Sequence, residues 1–306
     1  MNPYLEYPKR RRGLDHDIYA HRNMADVTRI AWPGGARVAL WVTVQMGHFP
    51  MDMPLTPFVV TGGMERPYPS YWDYTQRDYG NRVGVFRIMR ALAARGIPAT
   101  AFMSGALAER YPKLTDAVKG AGWDVAALGL DMGHLHHGGL PVAEERATIA
   151  RAAAALRGAF GDQVRGWLSP GNSESAQTLD LIAEAGFTWA ADWANDEMPY
   201  AMTTAAGPLT AMPLAWDLSD QRMLFQQHMA TEDFCTAVLD AHAVLDAEAA
   251  ASGGGRILCV TLTPWVMGQA HRAAAMGAML DAILARGGVW KASGAEILAA
   301  WKTGGG

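Results

Sequence analysis

Arg82–Met103 reads RVGVFRIMRALAARGIPATAFM. Val85, Ile88, Met89 and Leu92 recur at helical spacing, Gly96 supplies a stop, and Ile97–Met103 follows as a run suited to a strand. A helix that ends in glycine and feeds an apolar strand is part of a β/α repeat, so the rest of the chain is searched for the same pattern. Upstream, Ala36–Val44 (ARVALWVTV) is dense in β-branched and aromatic residues and predicts a buried strand. Downstream, a helix near Ala106–Lys119 leads to the strand Trp123–Leu128, and the Ala-rich helix Val142–Ala159 leads to Val164–Leu168. The helix Ser175–Ala185 stops at Gly186 before the strand Phe187–Ala191. Shorter strands are predicted at Leu209–Pro213 and Met223–Gln226. The helix Glu232–Ala250, the strand Arg256–Leu262, the helix Ala270–Ala285 and a strand–helix pair within Val289–Trp301 complete the series.

Seven or eight such units in 306 residues predict an α/β fold with a parallel sheet, closed or partly closed into a (β/α) barrel rather than doubly wound. No GxGxxG or Walker loop supports a nucleotide-binding fold. Residues 1–35 read as an N-terminal arm and 36–306 as one barrel domain; Gly253–Gly255 reads as a flexible turn but lies inside one helix–strand unit. Half of the residues are hydrophobic and 18% are charged, which suits a packed core. The net charge of −4 and a lone basic run, Lys9–Arg12, argue against nucleic-acid binding; that run reads as a solvated arm. No apolar segment opens the chain, and no window reaches ~18 uninterrupted apolar residues, so no membrane association and a cytoplasmic location are expected. Of the two cysteines, Cys235 and Cys259, the second lies in RILCVTL and reads as a buried thiol.

In a fold of this kind, chemistry sits on the loops after the strand C-terminal ends. Four loops qualify: Gln45–Asp52 (QMGHFPMD), Gly129–Gly139, Asp192–Tyr200 (DWANDEMPY) and Thr263–Arg272 (TPWVMGQAHR). The second holds His134, His136 and His137 beside Asp131, at a spacing that fits no standard zinc motif.

The blocks RDYGNRVG (Arg77–Gly84), RGWLSP, DWANDEMPY and TPWVMGQAHR, in that order, resemble the polysaccharide-deacetylase (NodB-homology) superfamily. Within it, they are most similar to the branch of cofactor-independent allantoinases and cyclic imide hydrolases. The resemblance runs from about Arg37 to Trp301 and implies a distorted (β/α) barrel of seven or eight strands. It also implies hydrolysis of a C–N bond in an amide, ureide or imide.

The same resemblance implies catalytic residues that this chain lacks. Relatives end the first strand with an acidic residue where this chain has Gly47, and the third with a histidine where it has Leu128. A late-strand histidine of relatives is here Thr263, and the second ligand position of metal-dependent members is Met132. Glycine, leucine and threonine neither shuttle protons near neutral pH nor bind a hard metal. No metal and no cofactor is therefore expected.

Three function classes follow. The first, which is favoured, is a non-catalytic partner or pseudoenzyme subunit of an active homologue, in a homo- or hetero-oligomer. The aromatic stretch Met64–Tyr79 would serve equally as an interface or as a lid. The second is a self-sufficient, metal-independent C–N hydrolase acting on a small polar amide or heterocycle. Its catalytic candidates are His48, His134 and Asp192, and its substrate-binding candidates are Asp131, His137, Trp193, Asn195, Asp196, Trp265 and His228. His136, Glu197 and His271 add further acid–base groups. A third, weaker class is a module that holds such a heterocycle without turnover. Each candidate also has a structural reading. His48 suits a packed histidine at a strand end, and Asn195–Asp196 suits a turn before Met198–Pro199. Asp78 suits a helix cap with Arg82 paired to an acid, and Ser169 lacks a nucleophile-elbow context. Polysaccharide is the least favoured substrate.

Overall fold

The computed structural model describes residues 16–26, 29–53 and 68–304. Lys9–Arg12 and Met64–Pro67 lie outside them.

Strand β1 (Val38–Met46) is buried along almost its whole length because both its faces are covered. Val38, Leu40, Val42, Val44 and Met46 face a layer of helices, whereas Ala39 and Trp41 face the inside of the curled sheet. The chain then runs through α1 (Tyr71–Tyr79), five π-helical residues at Gly80–Gly84, and α2 (Val85–Ala93). Val85, Ile88 and Leu92 are buried, as their spacing requires. The stop at Gly96 is real: its φ is +57°, and the Ile97 N–H donates to the Leu92 carbonyl at 3.0 Å.

Next come β2 (Ala99–Met103), α3 (Gly105–Arg110), α4 (Pro112–Gly120), β3 (Asp124–Leu128), α5 (Val142–Phe160) and β4 (Gly166–Leu168). They are followed by α6 (Thr178–Glu184), β5 (Trp189–Ala190), β6 (Tyr200–Thr204) and β7 (Gly207–Ala211). The last elements are α7 (Thr231–Ser252), β8 (Arg256–Leu262), α8 (Ala273–Ala285), β9 (Val289–Lys291) and α9 (Gly294–Thr303).

The strands form one sheet in the order β6-β7-β5-β4-β3-β2-β1-β8, with β9 paired to the N-terminal half of β1. All pairings are parallel except the β6–β7 hairpin at the edge. The sheet curls into an open barrel, with Trp41, Phe102 and Trp189 stacked inside it at centroid distances of 5.9–6.4 Å. Trp32 closes the N-terminal end of the strands, where its indole donates to the Arg256 carbonyl at 2.9 Å.

Several details differ from the sequence reading, among them the helix read near Ala106–Lys119, which is two, α3 and α4, parted at Tyr111 by Pro112. The helix predicted from Arg82 begins at Tyr71, where Ser70 Oγ accepts from the Asp73 N–H at 3.3 Å, so Asp78 is no cap. It lies inside α1, 4.0 Å from Arg82. The stretch 71–79 is therefore helix rather than loop. Met223–Gln226 is not a strand but part of a π-helical turn, Gln221–Gln226. Tyr200, read as the end of a loop, opens a strand, Tyr200–Thr204, that alternates buried Tyr200 and Met202 with exposed Ala201 and Thr203.

The RDYGNRVG block has a packing explanation. A Cβ at Gly84 would sit 2.0 Å from the Pro264 carbonyl oxygen, and one at Gly80 would sit 2.6 Å from the Trp265 nitrogen. These glycines let the π-helical turn lie directly on the loop after β8.

Candidate functional site

The C-terminal ends of the strands carry the positions singled out from the sequence. Gly47 follows β1, and a Cβ built there would meet Met132 Cγ at 3.1 Å, Met132 Sδ at 3.2 Å and the Phe49 ring at 3.3 Å. The Met132 N–H donates to the His48 carbonyl at 2.8 Å, which holds this thioether over the end of β1. Leu128 is buried in the inner apolar cluster, and Thr263 is buried at the end of β8. Met132 thus occupies the space beside Gly47.

Around it, the Arg77 guanidinium lies 4.7 Å from the Phe49 ring centroid and 5.6 Å from that of Trp265. Trp265 meets Phe225 edge-on at 4.6 Å. Burial pushes Arg77 below the usual guanidinium range. The loop after β8 is held from beneath by Asp220, whose carboxylate accepts the N–H groups of Thr263 (2.8 and 2.9 Å) and Met267 (3.1 Å). Burial nevertheless raises the Asp220 carboxyl to about 7.

The histidines diverge. His48 is buried on the helix side, with its ring 6.2 Å from Tyr111 and its Nε2 unpartnered among the described residues. Burial, with Arg110 nearby, lowers its pKa. His134 is half-exposed, and its Nδ1 lies 2.7 Å from Asp131 Oδ1, which also accepts from the Gly133 N–H at 2.9 Å. His136 is fully buried, 3.3 Å from Glu145 Oε1, and burial lowers its pKa. His137 is exposed and folds back onto the Gly139 N–H at 3.2 Å. His228 is exposed after the π-helical turn, with a φ of +56°, and His271 is exposed as well.

DWANDEMPY also works mostly as structure. Asn195 donates to the Tyr19 hydroxyl at 2.9 Å and accepts from that of Tyr200 at 2.7 Å. Asp196 accepts from the Met198 N–H at 2.9 Å and from Arg22 at 3.0 and 3.1 Å. Both side chains fasten residues 16–26 to the barrel. Asp192 accepts from the Ser169 N–H at 2.8 Å and the Ser169 hydroxyl at 3.2 Å. Trp193 donates to Glu174 Oε2 at 2.8 Å. Burial raises Glu174 to about 7, and burial together with Glu174 raises Asp192 well above the ordinary carboxylate range.

The structure therefore brings Asp131 together with His134, and sets Asp192 against Ser169 and Trp193 against Glu174. Glu174, Glu145, Asp220 and Arg77 were not among the predicted site residues. Glu174 sits on the loop after β4, which the strand-end rule covers, so it was accessible from the sequence. A metal does not fit: Leu128 and Met132 offer a hydrocarbon and a thioether. Among the described residues, no group of three or more His, Cys, Asp or Glu side chains is arranged to hold one.

Residues 74–190 match the polysaccharide deacetylase family. A Schizosaccharomyces pombe protein named for that activity is 24% identical over 288 residues, 88% of this chain and 86% of its own length. Puue allantoinase shares the fold with a TM-score of 0.81 and 24% identity, over 91% of this chain and 95% of its own. A Pseudomonas aeruginosa PAO1 protein named as a polysaccharide deacetylase does so with a TM-score of 0.81 and 22% identity, over 92% of this chain and 98% of its own. A CE4 family pseudoenzyme from Bacillus anthracis shares the fold more loosely, with a TM-score of 0.51 and 12% identity, over 85% of this chain and 65% of its own.

Proposed function

The chain carries a polysaccharide deacetylase domain, and from that premise we propose that it is a non-catalytic member of a C–N hydrolase system, kept as a partner of an active homologue. The observation that carries this reading is the contact between Gly47 and Met132. A carboxylate at position 47 would have to displace a packed thioether. Leu128 and Thr263 add no group that could take its place near neutral pH. The CE4 family pseudoenzymes among the fold neighbours are a precedent for a barrel of this kind without activity, and a mutant of one is named as having restored activity.

The test is a panel of allantoin, hydantoins, cyclic imides and simple amides. It is offered to the purified protein with and without chelator, alone and mixed with a homologue that has Glu, His and His at the three positions. No turnover is expected from the protein alone, and a rise is expected in the mixture. The quadruple variant Gly47→Glu, Leu128→His, Thr263→His, Met132→Ala provides the carboxylate, both imidazoles and room for them, and is expected to gain turnover. Chelator-resistant hydrolysis by the unmodified protein would overturn the reading.

One observation favours the second reading, a self-sufficient hydrolase. Glu174, raised to about 7 beside Asp192, is a group able to give and take protons at neutral pH. Turnover that Glu174→Gln abolishes would support it.

A further inference from the structure

Strand β8 stands at one end of the sheet order, paired along its length with β1 alone. In a parallel ladder, successive residues of a strand turn their N–H and C=O groups to opposite sides. The Arg256 N–H donates to the Arg37 carbonyl at 2.9 Å, which sets the alternation. Arg256, Leu258, Val260 and Leu262 therefore turn their backbone groups to β1, and Ile257, Cys259 and Thr261 turn theirs away from it. On that far side Thr261 forms an isolated parallel bridge with Ser219. The backbone N–H and C=O groups of Ile257 and Cys259 have no hydrogen bond among the described residues.

Both residues are only 4% exposed. Backbone groups buried to this degree are almost always paired, so these four raise the question of what pairs them. The same residues line a lateral groove of about 600 Å³, a volume ample for a short segment of chain. Ala241 and Leu245 of α7 line it as well, with Leu214 and Trp216 from the stretch after β7. An apolar molecule entering here would leave the β8 edge unpaired. A peptide backbone offers N–H and C=O groups at the repeat of a strand, and its alternate side chains can meet the apolar walls. Gly47, Leu128, Met132 and Thr263 do not line this groove, so it is distinct from the site at the strand ends.

We propose that the groove is a site of β-strand addition. An extended peptide segment of another protein pairs its backbone with Ile257 and Cys259 and buries apolar side chains against Leu214, Trp216 and Leu245. The proposal is independent of whether the chain is catalytic.

The test uses the full chain and fluorescently labelled peptides of the form acetyl-Thr-X-Thr-X-Thr-amide, with Val, Leu or Phe at both X positions, titrated by anisotropy. The peptide that binds best is then made in two N-methylated versions, one methylated at the X residues and one at the threonines. A strand pairs through one edge only. One methylated version is therefore expected to bind roughly tenfold or more weakly and the other to keep its affinity. Binding is expected to slow amide hydrogen exchange at Ile257 and Cys259, and to leave Leu258 and Val260, already held by β1, unchanged. Ala241→Trp, which fills the groove, is expected to abolish binding. Equal binding of the two methylated versions would reduce the site to an apolar contact and overturn the proposal. Binding of no peptide, or slowed exchange that omits Ile257 and Cys259, would also overturn it. Self-association that Ala241→Trp breaks, with no peptide present, would assign the edge to a second copy of the chain and overturn it too. If Ala241→Trp does not fold, the methylated pair and the exchange measurement decide.

Discussion

Gly84 and Glu174 show how much a single position decides. The space for a side chain at Gly84 is taken by the Pro264 carbonyl oxygen, which belongs to a backbone and cannot swing aside. Gly84→Ala is therefore expected to cost about 2 kcal/mol or more, read as a lowered urea midpoint at unchanged slope. A loss below about 0.5 kcal/mol would mean that helix and loop separate freely. Glu174 makes a prediction about pH. Its carboxyl would ionise near its ordinary value in the unfolded chain but holds its proton up to about 7 when folded. Between those values the folded state binds the extra proton, so this group's contribution to stability falls as pH rises and is constant outside the interval. Glu174→Gln keeps an acceptor for Trp193 and cannot ionise. It is expected to match the parent near pH 5 and to be more stable than it by on the order of 1–2 kcal/mol at pH 8, measured by urea unfolding across that range. A difference that does not change with pH would refute the assignment.

At the scale of elements, the buried carboxylate of Glu145 ties α5 to the start of α6. It accepts from the Thr178 hydroxyl at 2.6 Å and the Ser175 hydroxyl at 2.7 Å, and its Oε1 stands 3.3 Å from His136 Nδ1. Glu145→Ala would remove the shared acceptor of the Thr178 and Ser175 hydroxyls and the one carboxylate beside the buried His136 ring. We expect a loss of about 2–3 kcal/mol and faster amide hydrogen exchange across 131–140, since His136 anchors that loop. Unchanged exchange there would show that the loop is held by Asp131 and Gly133 alone. The alternation of strand and helix was legible because β1, β2 and β8 are apolar runs and α2 has a clean 3.6-residue stripe ended by Gly96. The misreadings have local causes. The apolar residues of Gln221–Gln226 pack from a π-helical turn at a spacing that resembles a short strand. Tyr200–Thr204 was masked by the turn residues before it, although its alternation is plain once the strand is known.

For the whole molecule, Gly47 and Met132 were singled out through the resemblance, but their packing against each other was not legible, because Met132 reaches Gly47 from another loop. The same holds for the acidic residues, whose raised pKa values come from long-range burial. The relation of residues 16–26 and 29–35 to the barrel also escapes the sequence. Thr203 at the edge strand donates to the Ile18 carbonyl at 2.7 Å, Arg22 clasps Asp196 and the Pro199 carbonyl, and Ile30 and Trp32 lie in the inner apolar cluster. An open sheet leaves an edge at β6, and this stretch covers part of it. If it folds as part of the barrel, damage at either end of it should act on one cooperative transition. Trp32→Ala empties a large site in the core and is expected to cost about 3–5 kcal/mol, and Arg22→Ala, losing a charge-assisted clasp, about 1–2 kcal/mol. Both should shift the urea midpoint of the same transition with little change in slope, and the double variant should lose about the sum, since the two side chains share no partner. A separate early transition in either variant, with the main one unmoved, would instead make this stretch an appendage that unfolds without the barrel.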